Sequence, residues 1–110
     1  MKIKIDFKFS EEKPITRKLF ANKDMIIVHF YLKNGQKIPM HASPSTVLVS
    51  VLKGKGKFFI DNEDNFEILE KGGSYIYNPK QPHGFLALED MVVQAVITPN
   101  PSVSKINIKK

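Results

Sequence analysis

Apolar and polar residues alternate along much of this chain, and the alternation predicts β-strands almost throughout. Residues 2–9 place Ile3, Ile5, Phe7 and Phe9 on one face, with a period of two that is typical of a half-buried strand. Turns rich in glycine, proline, asparagine and aspartate separate the later apolar runs. Further strands are predicted at 17–20, 25–32, 46–52, 57–60, 66–69, 74–77, 84–88 and 91–98, and a last edge strand at 103–108.

Nine or ten short strands at close spacing, with almost no helical periodicity, favour an all-β antiparallel sandwich or barrel. The acidic run 61–65 is interpreted as the tip of a hairpin. The 110 residues suit one domain, divided into N-terminal strands at 1–24, a barrel at 25–98 and a loosely held arm at 99–110.

Composition narrows the chemistry. The chain has no cysteine, which excludes disulfides and thiolate metal sites, so any metal would need histidine, carboxylate or water as ligand. No apolar stretch is long enough to span a membrane, and the lysine-rich start does not resemble a secretory signal, so a cytoplasmic location is expected. The net charge of +6 comes from lysines spread along the chain, which argues against nucleic-acid binding.

Two of the three histidines occupy places where a site could form. His41 follows a glycine turn at Gly35 and precedes the predicted strand 46–52. His83 ends the proline-rich loop 78–83. Arg17 is the only arginine, which argues against strong recognition of carboxylate or phosphate substrates.

At these residues the chain resembles the cupin superfamily. Gly35, His41 and Gly54 fall at the intervals of the first cupin motif, but Ser43 replaces its second histidine and Val47 replaces its glutamate. The resemblance extends over about residues 25–98.

The second cupin motif is matched approximately by Gly72, Pro82 and His83, with Asn78 where the motif has a proline. The resemblance implies an antiparallel jelly-roll β-barrel that brings His41 and His83 to its inner wall near one mouth. It also implies the divalent metal of many cupins.

The replaced ligands count against a tightly held metal. Two imidazoles bind a divalent ion more weakly than three or four ligands do, and a serine hydroxyl competes poorly with water. Weak binding of Zn, Ni or Fe by His41 and His83 stays open. His29 is a further candidate ligand, because the sequence does not show which face of its strand looks inward.

An apolar pocket beside the two histidines is the other interpretation. Alternation places Val47, Val49 and Val51 on one face of their strand. The candidate pocket residues are Met40, Ser43, Val47, Val49, Val51, Tyr77 and Phe85. These side chains could line a binding pocket or fill a closed core, because small barrels fill their interiors with side chains.

The favoured hypothesis is a small cupin of unassigned activity that binds a small molecule, or weakly a divalent metal, in its barrel. One alternative is a metal-dependent cupin enzyme of the dioxygenase or isomerase type. Two histidines could also serve as general acid and base in an isomerase or epimerase. A second is an interaction module without a ligand. A homodimer is expected in each case, because the strand predicted at 2–9 would otherwise leave an uncovered edge.

Overall fold

The structure is a computed structural model that describes residues 1–102, in which nine strands account for most of the regular structure. The strands are β1 (Ile15–Ala21), β2 (Ile26–Leu32), β3 (Lys37–His41), β4 (Thr46–Lys53), β5 (Lys55–Ile60), β6 (Asn62–Glu70), β7 (Ser74–Tyr77), β8 (His83–Ala87) and β9 (Met91–Thr98). The edge strand predicted at 103–108 lies outside the described residues.

The strands form two antiparallel sheets that face each other. One sheet has the order β1-β2-β9-β4-β7 and the other has the order β3-β8-β5-β6. The chain crosses repeatedly between the sheets, and this confirms the predicted all-β jelly-roll barrel. Within residues 1–102, no helix is long and apolar enough to cross a membrane.

Period-two alternation decides which side chains enter the space between the sheets. In β4, Val47, Val49 and Val51 are buried, while the intervening Leu48 and Ser50 are only partly covered. From the facing sheet, Phe58 and Phe85 stack at 5.0 Å between ring centroids. The core therefore lies between the two sheets, as the alternation in β4 predicts.

Two elements differ from the sequence prediction in the four-stranded sheet. Alternation does not predict strand β3, because the pattern there is weak and Pro39 interrupts it; β3 is an edge strand, where proline is tolerated. Strand β6 begins earlier than predicted, at Asn62, so most of the acidic run belongs to the strand. The turn of the β5–β6 hairpin is made at Asp61, which has a φ of 69°.

The strand predicted at 2–9 is wrong for the single chain. Residues 1–14 form no strand, and we call this segment the N-terminal arm. Side-chain contacts hold the arm in place of backbone hydrogen bonds to a neighbouring strand. Arg17 Nη1 lies 2.7 Å from Asp6 Oδ2, and the rings of Phe9 and Tyr31 meet edge-on with their centroids 6.2 Å apart. Alternation predicts an extended chain, but only backbone pairing makes a strand, and this arm finds no ladder partner within residues 1–102.

Candidate ligand-binding site

Pairing of β3 with β8 brings two distant histidines together. His41 and His83 are direct partners across the two strands, after a register shift that follows Ile38. Their ring centroids are 4.2 Å apart and the rings are tilted by 60°. The two imidazoles are therefore in contact, at one end of the four-stranded sheet.

Backbone hydrogen bonds fix the loop that leads into His83. The Lys80 amide donates to the Ser43 carbonyl at 2.6 Å, which ties this loop to the connection between β3 and β4. The Asp61 amide donates to the Pro82 carbonyl at 3.0 Å and ties the loop to the β5–β6 turn. Because the loop is held on both sides, His83 enters β8 at a defined position.

Both imidazoles are oriented by a carbonyl two residues earlier in the chain. His41 Nδ1 lies 2.9 Å from the Pro39 carbonyl oxygen, and His83 Nδ1 lies 2.9 Å from the Gln81 carbonyl oxygen. A carbonyl oxygen only accepts, so each Nδ1 carries the hydrogen. In the neutral rings, Nε2 is then left with its lone pair.

His83 is the buried member of the pair, with 3% of its surface exposed, whereas His41 is exposed to solvent. Tyr77 stacks on the His83 ring at 4.6 Å and 20°. Burial lowers the pKa of His83 and the nearby His41 lowers it further, while the hydrogen bond to the Gln81 carbonyl opposes the shift. The neutral form of His83 therefore predominates at pH 7.

A cavity of about 100 Å³ opens beside the histidine pair, and we call it the barrel cavity. Its lining consists of Phe30, His41, Ser43, Val47, Val49, His83, Phe85, Ala95 and Ile97. Both candidate histidines and four of the candidate pocket residues are thus brought to one place.

Three candidate pocket residues do not line the barrel cavity. Val51 is buried in the core, Met40 is half-buried on the edge strand β3, and Tyr77 stands behind the His83 ring. Sequence reasoning missed Phe30, Ala95 and Ile97, which enter from β2 and β9. Both strands are so uniformly apolar that alternation alone does not reveal the inward face.

His29 is not part of the histidine pair. Its neighbour Phe30 lines the barrel cavity, so His29 points to the opposite face of β2. There it is fully buried, with Nδ1 3.3 Å from the Tyr31 hydroxyl and Nε2 2.9 Å from Gln94 Oε1. The prediction that His29 could be a third metal ligand is therefore wrong, because both of its ring nitrogens take part in hydrogen bonds on the other face of β2.

The donor atoms of the barrel cavity do not fit a tightly held metal. Within residues 1–102, no group of three or more histidine, cysteine or carboxylate side chains could surround an ion. The polar groups in the cavity wall are two imidazoles and the Ser43 hydroxyl. Structural and catalytic zinc sites use at least three strong protein ligands.

The Tyr77 hydroxyl has no hydrogen-bond partner within residues 1–102, although it is buried. We expect Tyr77→Phe to stabilise the protein by about 1 kcal/mol, because the lone hydroxyl has lost its hydration without compensation. Tyr31→Phe is the matched control. That tyrosine is equally buried, but its hydroxyl contacts His29 and accepts from the Asp6 amide, so its loss should cost about 1 kcal/mol. Urea unfolding of both variants measures the difference, and destabilisation by Tyr77→Phe would reveal a bound water at the hydroxyl.

Comparison with known proteins agrees with this geometry. A family model described as a cupin domain matches residues 28–98. No curated protein matches the chain.

Several solved structures share the fold. An RmlC-like cupin from Desulfovibrio desulfuricans is 26% identical, with a TM-score of 0.78 and coverage of 87% of this chain and 90% of its own. A conserved protein of unknown function from Streptococcus pyogenes is 24% identical, with a TM-score of 0.76 and coverage of 89% and 88%. The two sheets, the position of the histidine pair and the match over most of the domain lead to one conclusion: the chain belongs to the cupin family.

Proposed function

We propose that this cupin binds a small, mostly apolar molecule in the barrel cavity and uses no resident metal to do so. The observation that carries the proposal is the cavity itself, with six apolar side chains and two imidazoles around one space. Ligand sites are commonly of this kind, with apolar walls and a few polar groups that fix orientation. His41 is exposed and lines the cavity, so a ligand could enter beside it.

The volume limits the ligand. The barrel cavity encloses about 100 Å³. An apolar cavity of about 150 Å³ accommodates benzene or xenon. The ligand group that enters this barrel is therefore no larger than a small ring or a short branched chain.

Xenon offers a test of whether the cavity is open, because it needs no polar contact. We expect dissolved xenon to shift the methyl resonances of Val47, Val49 and Ile97, which line the barrel cavity. Ala95→Leu should abolish these shifts by filling the cavity, and its free energy of unfolding should stay within about 1 kcal/mol of the natural value.

Ala87→Leu is the control for the xenon experiment. Ala87 is also buried but does not line the cavity, so the larger side chain should overpack the core and cost about 2 kcal/mol. Xenon should still bind in this variant if it folds. If xenon shifts no methyl resonance in the natural protein, the barrel is filled and the proposed function is wrong.

The structure favours ligand binding over the alternative of a metal-dependent dioxygenase or isomerase. Such an enzyme needs a metal with several protein ligands, and the barrel cavity supplies two imidazoles. Weak binding of Zn, Ni or Fe to the pair would appear as broadened or shifted NMR signals of the two histidines that a chelator reverses.

A cytoplasmic location is also proposed, because the chain has no cysteine and so makes no use of disulfides. Cell fractionation would check it.

We further propose that the protein is a homodimer and that the N-terminal arm contributes to the contact. The arm leaves large apolar side chains uncovered in the single chain, among them Met1, 90% exposed, and Phe7, 57% exposed. Beside the arm, an apolar row crosses the outer face of the five-stranded sheet. Its members are aligned by strand pairing and are Phe20, Ile27, Val96, Leu48 and Ile76. A second copy would remove this surface from water.

Sedimentation velocity at micromolar concentration tests the dimer. The natural protein should sediment as a dimer. Phe7→Glu should raise the dissociation constant of the dimer at least tenfold. Phe66→Glu, on the edge strand β6 of the other sheet, is the matched control and should leave the dimer intact. A natural protein that sediments as a monomer would contradict the proposal.

A further inference from the structure

We infer that the barrel cavity selects a ligand that donates a hydrogen bond, of the class of small alcohols, and rejects carboxylates. The inference rests on the proposed function and names the ligand class of the same site. It follows from the tautomers of the two histidines, the position of both rings in the cavity wall and the absence of positive charge from that wall.

The two imidazoles present acceptors to the ligand. Each Nδ1–H donates to a backbone carbonyl, that of Pro39 for His41 and that of Gln81 for His83. The Nε2 lone pair is therefore the ring's remaining polar function. An acceptor-only ligand, such as a ketone, meets a lone pair at both rings and gains no hydrogen bond from either.

The Nε2 atom of His83 makes no hydrogen bond to another of residues 1–102, where the ring's one hydrogen bond is that of Nδ1 to the Gln81 carbonyl. Because His83 lines the barrel cavity, this atom is a contact point for a ligand inside it.

The rest of the wall offers no cation to an anion. Six of the lining residues are apolar, and none carries a permanent positive charge. The single arginine, Arg17, is engaged with Asp6 beneath the N-terminal arm. A carboxylate in this cavity would lose its hydration without gaining a cationic partner.

Ser43 favours a ligand with a hydroxyl group over a ligand that can only donate a hydrogen bond. Its oxygen accepts the Ser45 amide at 3.1 Å, and its own hydrogen stays available for donation. An alcohol can donate to an imidazole Nε2 and accept from such a hydroxyl. The polar part of the barrel cavity thus complements a group that both donates and accepts.

Nitrogen NMR of the histidine rings, at pH 7.5 with a chelator present, tests the tautomers directly. We expect His41 and His83 to show a protonated Nδ1 and an unprotonated Nε2. An Nε2–H tautomer at both rings would overturn the inference, because the cavity would then present donors.

A size-matched series tests the selection itself, with cyclobutanol, cyclobutanone and propionate as probes. The methyl signals of Val47 and Val49 report binding in the barrel cavity. We expect cyclobutanol to bind about fivefold more tightly than cyclobutanone, which is the effect of one net hydrogen bond, and propionate to cause no shift. The full-length natural protein is used throughout.

The outcomes separate this inference from the proposed function. If cyclobutanone or propionate binds as tightly as cyclobutanol, the ligand class is wrong while the binding function stands. If xenon and all three probes leave the cavity signals unchanged, the proposed function itself fails, whatever the tautomers are.

Discussion

Glutamate in place of Val47 alone is expected to destabilise the protein by about 3 kcal/mol or more at neutral pH. Val47 is 4% exposed, and it lines the barrel cavity together with Ser43 and both paired histidines. A carboxylate there would be buried without a cation, and it would either protonate or weaken the fold. The expected loss therefore follows from the missing partner and not from the size of the side chain.

Adding Ser43→His to the glutamate variant should turn this defect into a metal site. The imidazoles of His41 and His83, the third imidazole introduced by Ser43→His and the new carboxylate would all face one cavity, as four ligands suited to Zn or Ni. Zinc at a hundredfold excess over its dissociation constant adds about 2.7 kcal/mol to stability when it binds only the folded state. The double variant should therefore recover much of its lost stability when zinc is added.

Chemical unfolding with and without zinc measures this recovery. The natural protein should respond weakly, and the single Val47→Glu variant should respond less than the double variant. Ser43→His combined with Val51→Glu is the control, because Val51 is buried but does not line the barrel cavity. A large response of the natural protein to micromolar zinc would show that it already holds a metal site.

The sequence predicts the fold because one strand after another shows alternation or a short apolar run between turns. Val47, Val49 and Val51 share one face of β4, as their spacing predicts, and the structure shows that it is the inner face. Where a run is short and interrupted by proline, the prediction fails. Strand β3 contains Pro39 and exposed residues, so its existence depends on pairing with β8, which is a property of the folded chain.

The candidate site is predictable in part for the same reason. Motif spacing identifies His41 and His83, whose contact depends on the register of β3 against β8. The face of His29 could not be read from the sequence, because β2 is apolar on both faces. One face packs into the barrel, and the other is covered by the N-terminal arm, where Phe9 meets Tyr31. A segment that is not part of the sheet thus buries the outer face of β2, which explains why both faces of this strand are apolar.

The contact between the two histidines depends on a glycine that follows His83. A Cβ atom on Gly84 would lie 2.7 Å from the Ile38 carbonyl oxygen and 3.0 Å from the Pro39 carbonyl carbon. Both are backbone atoms of β3, so no side chain can turn away to make room. Close approach of β8 to β3 therefore requires glycine at this position.

Gly84→Ala is accordingly expected to cost about 3 kcal/mol, because either the strands separate or the backbone is strained. Gly35→Ala is the control. The φ of Gly35 is 91°, which disfavours alanine, but no atom lies within 4 Å of the added Cβ, so a loss of about 1 kcal/mol is expected.

Urea unfolding compares the free energies of unfolding of the two variants, and the NMR ring signals of His41 and His83 report whether the two histidines have separated. Since β3 is an edge strand, we expect it to shift away from β8 before the barrel unfolds, so the ring signals of His41 should change more than those of the buried His29. Equal stability of the two variants, with unchanged histidine signals, would show that β3 yields without cost and that Gly84 does not set the geometry of the site.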